Sequence, residues 1–297
     1  MSLTVEDEDV PLTKLHTIML PVRGDGKGDN VLAHAAALAR RFGARVRVVH
    51  CHPRSADVLS YGVVIPKVVR QQVEDAMASA AGVTEAQLIE EFRELAAKHG
   101  LTEQEHEPGK PTARFIEFEG KQVEAVRTHG RLADLICVPQ PDSGLNLGNN
   151  TLKSALFSSG RPVMMCPERE SVEDGFADHV AIGWNGSLEA TRAVAMAMPM
   201  IASAKSVTIL SGGKSQPAAG PEQLQRYLAL KDIGSEIRRF EAKGANVGER
   251  LLSETNEAGA GTLIMGAYHD SYERESLFGG NSQAVVQAAD IPVILVH

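Results

Sequence analysis

The stretch Gly261–His297, GTLIMGAYHDSYERESLFGGNSQAVVQAADIPVILVH, constrains the fold more than any other. Thr262–Met265 is a short apolar run that stops at Gly266. A polar loop follows, and Gly279–Gly280 then opens a helical pattern over Asn281–Ala289. Ile291-Pro292 breaks that helix, and Val293–Val296 is a second apolar run. Strand, glycine-bounded loop, helix, strand is a βαβ unit, which requires a parallel sheet and a right-handed crossover. The glycines open a helix N-terminus, where free backbone N–H groups and the helix dipole favour an anion such as phosphate. By themselves such glycines are more often plain turn chemistry than a phosphate cradle.

The rest of the chain repeats the pattern. After a polar leader, His16–Val22 reads as a strand and Arg23–Asn30 as a turn, with Asp29 or Asn30 as N-cap of an Ala-rich helix, Val31–Phe42. Ala44–Cys51 is a second strand, Lys67–Lys98 a long helical region, Ala113–Glu119 a strand of period two and Lys121–His129 a helix. Asp134–Val138, Thr151–Ser158 and Pro162–Cys166 read as strand, helix and strand. Glu168–Asp178 is acidic and unpatterned and reads as a linker. The series then restarts at His179–Trp184, with helices at Ser187–Ala202, Glu222–Ile233 and Asn246–Gly259 and strands at Lys205–Ser211 and Glu236–Glu241. LFSSGRPVMMC near the end of one half aligns with VVQAADIPVIL near the end of the other. A period of half the chain is a duplication rather than a solenoid. Two domains are expected, 15–167 and 178–297, each an open α/β sheet covered by helices on both faces.

The C-terminal stretch resembles the universal stress protein family. That family carries Gly, two residues, Gly, nine residues, Gly and a small polar residue here. Gly266, His269, Gly279 and Gly280 hold those four positions, so the spacing is kept while His269 replaces a glycine and Gly280 replaces Ser or Thr. Asn281 and Ser282 keep polar groups at the helix start. The resemblance covers most of residues 15–297. It implies two tandem five-stranded parallel sheets of strand order 3-2-1-4-5, of the adenine nucleotide alpha hydrolase-like kind. In such a sheet ligands bind at the switch point between strands 1 and 4, outside the carboxyl ends of the strands.

In the second half the switch-point loops are Gly183–Ser187 and Gly266–Ser282. Asn185 stands where the family usually has an Asp that meets the adenine or ribose end of a nucleotide. It keeps hydrogen-bonding capacity but loses a charge-assisted bond. His269 is a solvated loop residue or, when protonated, a source of positive charge for phosphate. In the first half Arg23 holds the Asp position, and Val138 and Pro141 replace glycines. Pro139 and Pro141 also lack N–H donors, so this site reads as degenerate.

Composition narrows the partners. Net charge is −8 with no large basic patch, which argues against nucleic acid and anionic membrane. No apolar run approaches the ~18 residues of a membrane span, and MSLTVEDEDV does not resemble a secretory signal. Cys51, Cys137 and Cys166 lie in apolar runs without a CxxC, as buried thiols of a cytoplasmic protein do. Gly24-Asp25-Gly26-Lys27-Gly28 lacks the first Gly and the Ser/Thr of a P-loop. His50 and His52 would share one strand face with Cys51 on the other, leaving at most two metal ligands, and no metal is expected. Met196 and Met200 share a helical face that suits the core, and Trp184 suits the edge of a core. Ser211, Ser282 and His269 form no nucleophile motif, and Asp270 and Glu273 suit a solvated loop, so no catalytic residue is named.

The expected role is a cytoplasmic stress-response module that binds ATP or AMP weakly in its second half, through Asn185, Met265, Gly266, His269, Gly279, Gly280, Asn281 and Ser282. A nucleotide-free scaffold acting through protein partners is the alternative, and a slow ATP hydrolase a third reading. Family members commonly dimerise through the last strand. Val163–Cys166 and Val293–Val296 are short, apolar and uncharged, hazardous as exposed edges. They are expected to pair antiparallel, making the chain an intramolecular pseudo-dimer of its two halves.

Overall fold

The computed structural model describes residues 14–22, 28–52, 86–105, 107–141, 148–169, 171–212, 219–242, 244, 246–267 and 280–297. The first half contains β1 (Thr17–Val22), α1 (Gly28–Phe42), β2 (Arg45–His52), a helix through 86–98, β3 (Thr102–Glu103) and β4 (Thr112–Glu119). It continues with α2 (Gln122–His129), β5 (Leu135–Pro139), α3 (Asn149–Ser159) and β6 (Val163–Cys166). The second half contains β7 (His179–Gly183), α4 (Leu188–Met196), α5 (Met198–Ser203), β8 (Ser206–Gly212), α6 (Pro221–Ala229) and β9 (Glu236–Phe240). It ends with α7 (Val247–Glu257), β10 (Thr262–Gly266), α8 (Gly280–Ala288) and β11 (Val293–Val296).

The eleven strands among the described residues belong to one sheet, in the order β3-β4-β2-β1-β5-β6-β11-β10-β7-β8-β9. Read outward from its own first strand, each half has the order 3-2-1-4-5, and within each half every pairing is parallel. The two halves of the sheet meet at β6 and β11. These strands pair antiparallel, with Val293 opposite Met165, Ile294 opposite Met164 and Leu295 opposite Val163. All four residues of each strand are buried. The two-residue β3 at the outer edge is an addition to the expected five strands per half. The opposite edge, β9, carries Glu236, Arg238 and Arg239, and charge of this kind blunts a sheet edge.

Because strand side chains alternate in direction, each strand feeds two apolar layers. Ile18, Leu20, Met164, Cys166, Ile182, Ile294 and Val296 join the layer on the α1 and α4 side. Met19, Val163, Met165, Ala181, Val293 and Leu295 join the layer on the α2, α3, α7 and α8 side. Both layers run unbroken from one half to the other.

Some sequence expectations require correction. α1 starts at Gly28, so Asp29 and Asn30 lie inside its first turn instead of capping it. Asn30 uses its amide Nδ2 to reach Pro167 O. The expected helix Ser187–Ala202 is two helices. Pro199, in the first turn of α5, lacks the N–H that a continuous helix would need. The break leaves Met196 38% exposed while Met200 is buried, so the two methionines do not share a core face. Cys137 and Cys166 are buried, but Cys51 is only half-buried. The acidic linker holds a 3-10 turn, Asp174–Ala177, with Phe176 packed edge-on against the His34 ring. Phe176 O accepts a hydrogen bond from Thr262 Oγ1 at 3.0 Å. No helix among the described residues is long and apolar enough to cross a membrane.

Candidate functional site

Parallel strands deliver all their carboxyl ends to one side of a sheet, and β7 and β10 are the strands at which the second half reverses its winding. After β7, Trp184 turns into the core, 6% exposed, and its indole N–H donates to Ala219 O at 2.9 Å. The Asn185-Gly186-Ser187 turn follows. Asn185 Oδ1 accepts from Ser187 N at 3.0 Å, and Gly186 takes φ +77°, which a side chain would resist. Ser187 then caps α4 by accepting from Ala190 N at 3.1 Å. Asn185 is exposed; its oxygen is committed to the turn, which leaves its amide N–H groups to meet a ligand.

β10 ends at Gly266, and the absence of a side chain there has a packing cause. A Cβ would lie 2.5 Å from both Ala190 N and Glu189 C, so the first turn of α4 rests directly on this residue. A second close approach brings in α7. Asn246 caps that helix by accepting from Gly248 N at 2.7 Å and donates through Nδ2 to Gly280 O at 3.2 Å. A Cβ on Gly248 would sit 2.2 Å from Asn281 O. At Gly280 the space is open, with the nearest atom 3.8 Å from a built Cβ.

These contacts enclose a cavity of about 300 Å³. Residues from the first turns of three helices line it: Ser187, Glu189 and Ala190 at α4, Val247 and Gly248 at α7, and Gly280, Asn281 and Ser282 at α8. Three helix N-termini facing one space supply backbone N–H groups and aligned dipoles suited to an anion. Phe240, Leu251 and Met265 add an apolar wall. Among the described residues lining it there is no Lys, Arg or His, and Glu189, 9% exposed, is the one carboxylate.

Of the residues named from sequence, Asn185, Met265, Gly266, Gly280, Asn281 and Ser282 come together here. His269 and Gly279 lie outside the described residues. Sequence reasoning missed Glu189, Phe240, Val247, Gly248 and Leu251. It looked only at the loops after strands 1 and 4, whereas the helix after strand 3 also starts at the switch point. The cap sequence Asn246-Val247-Gly248 carried that signal.

In the first half most of both corresponding loops lies outside the described residues. Gln140, just beyond β5, reaches across to the second half and donates from Nε2 to Val286 O at 2.9 Å. His50 and His52 do share a face. His50 Nδ1 lies 3.0 Å from Glu117 Oε2 and His52 Nε2 3.7 Å from the same oxygen. No group of three or more His, Cys, Asp or Glu among the described residues is arranged to hold a metal.

Residues 177–297 match the model of the universal stress protein family. The C-terminal half is a universal stress protein domain. A universal stress protein from Archaeoglobus fulgidus DSM 4304 resembles the whole chain, with a TM-score of 0.70 at 17% identity over 96% of this chain and 97% of that one. A functionally unknown protein from Pseudomonas aeruginosa PAO1 gives a TM-score of 0.56 at 13% identity, covering 96% and 93%. At such identities the likeness establishes the fold. The likeness in fold spans both halves of the chain. No curated protein matches the chain.

Proposed function

We propose that the chain is a stress-response protein of the universal stress protein type that binds ATP or AMP weakly in its C-terminal half. The cavity at the β7–β10 switch point carries this reading: three helix N-termini face a space with an apolar wall, as a nucleotide with a base and a phosphate requires. Asn281 and Ser282 would offer N–H groups to phosphate, Asn185 its amide to the ribose or base, and Met265 and Phe240 a surface for the base. His269 and Gly279 join the site on sequence grounds. We place the domains at 15–167 and 178–297 and regard the first as a degenerate copy. Its Val138, Pro139 and Pro141 supply little free backbone N–H. The antiparallel β6–β11 seam supports reading the chain as an intramolecular pseudo-dimer, and a cytoplasmic setting fits the thiols Cys137 and Cys166.

Mass spectrometry of small molecules released from gently purified protein tests this reading, together with calorimetric titration of ATP and AMP. Recovered adenine nucleotide, or saturable heat lost in Ser282→Leu, is expected. One observation favours a nucleotide-free scaffold instead: the carboxylate of Glu189 stands in the cavity with no cationic side chain among the described lining residues. Clean protein that gives no heat with either nucleotide supports the scaffold.

A further inference from the structure

β2 is an inner strand of a parallel sheet, a place that is ordinarily apolar, yet it carries Arg45 and Arg47. Two residues apart, they face the same side, the α2 side to which Val49 also points. The register sets Arg114 of β4 directly opposite Arg47. With neighbouring strands ~4.8 Å apart and a rise of ~3.3 Å per residue, the three arginines leave the sheet within ~9 Å of one another.

Their partners do not balance them. Arg45 Nε donates to Thr17 Oγ1 at 3.0 Å, and Arg114 pairs with Glu105. Arg47 is half-buried and has neither a hydrogen bond nor an ion pair among the described residues. Burial, then Arg45 and Arg114, lower the pKa of its guanidinium, which stays charged. α2 packs over this face and ends in Arg127 and His129, with no carboxylate in its last turn. Asp134 is committed to the N–H groups of His16 and Thr17. Like charges directly opposite each other on neighbouring strands destabilise a sheet.

The fold does not require this arrangement, because the second half builds the same strands without it. Val207 lies beside Val180 as Val46 lies beside Ile18. Ser206 and Thr208 therefore stand where Arg45 and Arg47 do, and Glu236, opposite Thr208, stands where Arg114 does. There Thr208 Oγ1 and His179 Nε2 share a hydrogen bond of 2.9 Å. One copy of the fold is satisfied at these places by neutral groups; the other keeps three cations, one of them unanswered. Guanidinium forks match phosphoryl oxygens bidentately, and the spread of the three is wider than a single carboxylate. We propose that this face of β2 and β4 binds a small anion with two phosphoryl groups, one held by the fork of Arg47, the other by the Nη groups of Arg45, with Arg114 shared between Glu105 and the ligand. The site is separate from the C-terminal cavity and does not depend on nucleotide binding there.

Isothermal titration of the full chain with pyrophosphate and with citrate, at constant ionic strength, tests this. Saturable binding of pyrophosphate is expected, with citrate at least ~10-fold weaker. Arg47→Gln should weaken pyrophosphate at least ~10-fold. Its melting temperature without ligand should be equal or up to ~2 °C higher, since a repulsion is removed. Arg47→Lys keeps the charge and loses the fork, so its affinity should fall between the two. Amide NMR shifts on binding should centre on Arg47 and Arg114. No saturable binding, equal affinity in Arg47→Gln, or shifts centred on Asn281 in the C-terminal cavity would overturn the proposal.

Discussion

Gly266 and Gly280 both fall in the glycine pattern, yet their surroundings assign them different work. Gly266→Ala drives a Cβ into the backbone of α4 at 2.5 Å. Neither partner is a flexible side chain, so the substitution should cost about 1–3 kcal/mol of stability with no ligand present. Gly280→Ala meets nothing within 3.8 Å at the start of α8 and should leave stability equal or up to ~1 kcal/mol higher. Thermal melts of the two variants check both statements. A Gly266→Ala protein that melts with the wild type would remove the packing explanation. Gly280→Ala is therefore the cleaner probe of backbone approach to phosphate. A second residue-scale effect concerns His34, which is 1% exposed and packs on Phe176. Burial is the main reason its pKa is lowered, offset by the hydrogen bond to Asn30 O. Burial holds His99 and His129 down in the same way. The unfolded chain then binds more protons than the folded one as pH falls through the ordinary His value of about 6.5. Stability is thus full above that pH and declines below it, towards the depressed folded value. Melting temperature should drop between about pH 7 and 5, and His34→Gln should flatten the drop. Parallel pH profiles for the two proteins would show that His34 contributes nothing.

At the scale of elements, β11 is the strand on which the molecule turns, because it pairs with β10 on one side and β6 on the other. Whichever way the Leu295 N–H points, it faces a strand. Leu295→Pro therefore removes a ladder hydrogen bond and places the ring in a buried pairing, at a cost of about 3 kcal/mol or more. Chemical denaturation should show the loss, and an unchanged midpoint would contradict the seam. This strand was legible in the sequence: two uncharged apolar edges cannot stay open to water, and the alternation and β-branched runs marked nearly every strand. The candidate site was legible where it lies next to the loops of the C-terminal stretch, as at Asn185, Met265 and Ser282. It was not legible at Phe240 and Gly248, which reach the cavity only through the tertiary placement of the third strand and its helix. Periodicity also failed at Met196, since Pro199 interrupts the face that Met196 and Met200 would have shared. The burial of Phe176 within the linker was not legible, because a single aromatic in an acidic stretch has no period and its packing against His34 depends on where the second half docks.

The whole molecule joins two copies of one fold without leaving them independent. Both apolar layers cross the β6–β11 seam, so neither half has a closed core of its own. Polar contacts reinforce the joint away from the sheet. Arg41 Nη1 meets Asp178 Oδ1 at 2.8 Å, Gln140 holds the end of α8, and the Phe157 ring meets the His297 ring edge-on at 4.8 Å. Unfolding one half alone would expose a fully buried strand and one side of both layers in the other. At roughly 25 cal/mol per Å² of apolar surface, that penalty is large beside the few kcal/mol by which domains are stable. The halves should therefore unfold together. Scanning calorimetry is expected to give one endotherm whose van't Hoff and calorimetric enthalpies agree, instead of the two transitions usual for tandem domains. Two resolved transitions, or a van't Hoff enthalpy near half the calorimetric value, would mean that the seam does not couple the halves. Ile294→Asp, which buries a charge beside Met164 in the middle of that seam, should lower the single transition as a whole rather than split it.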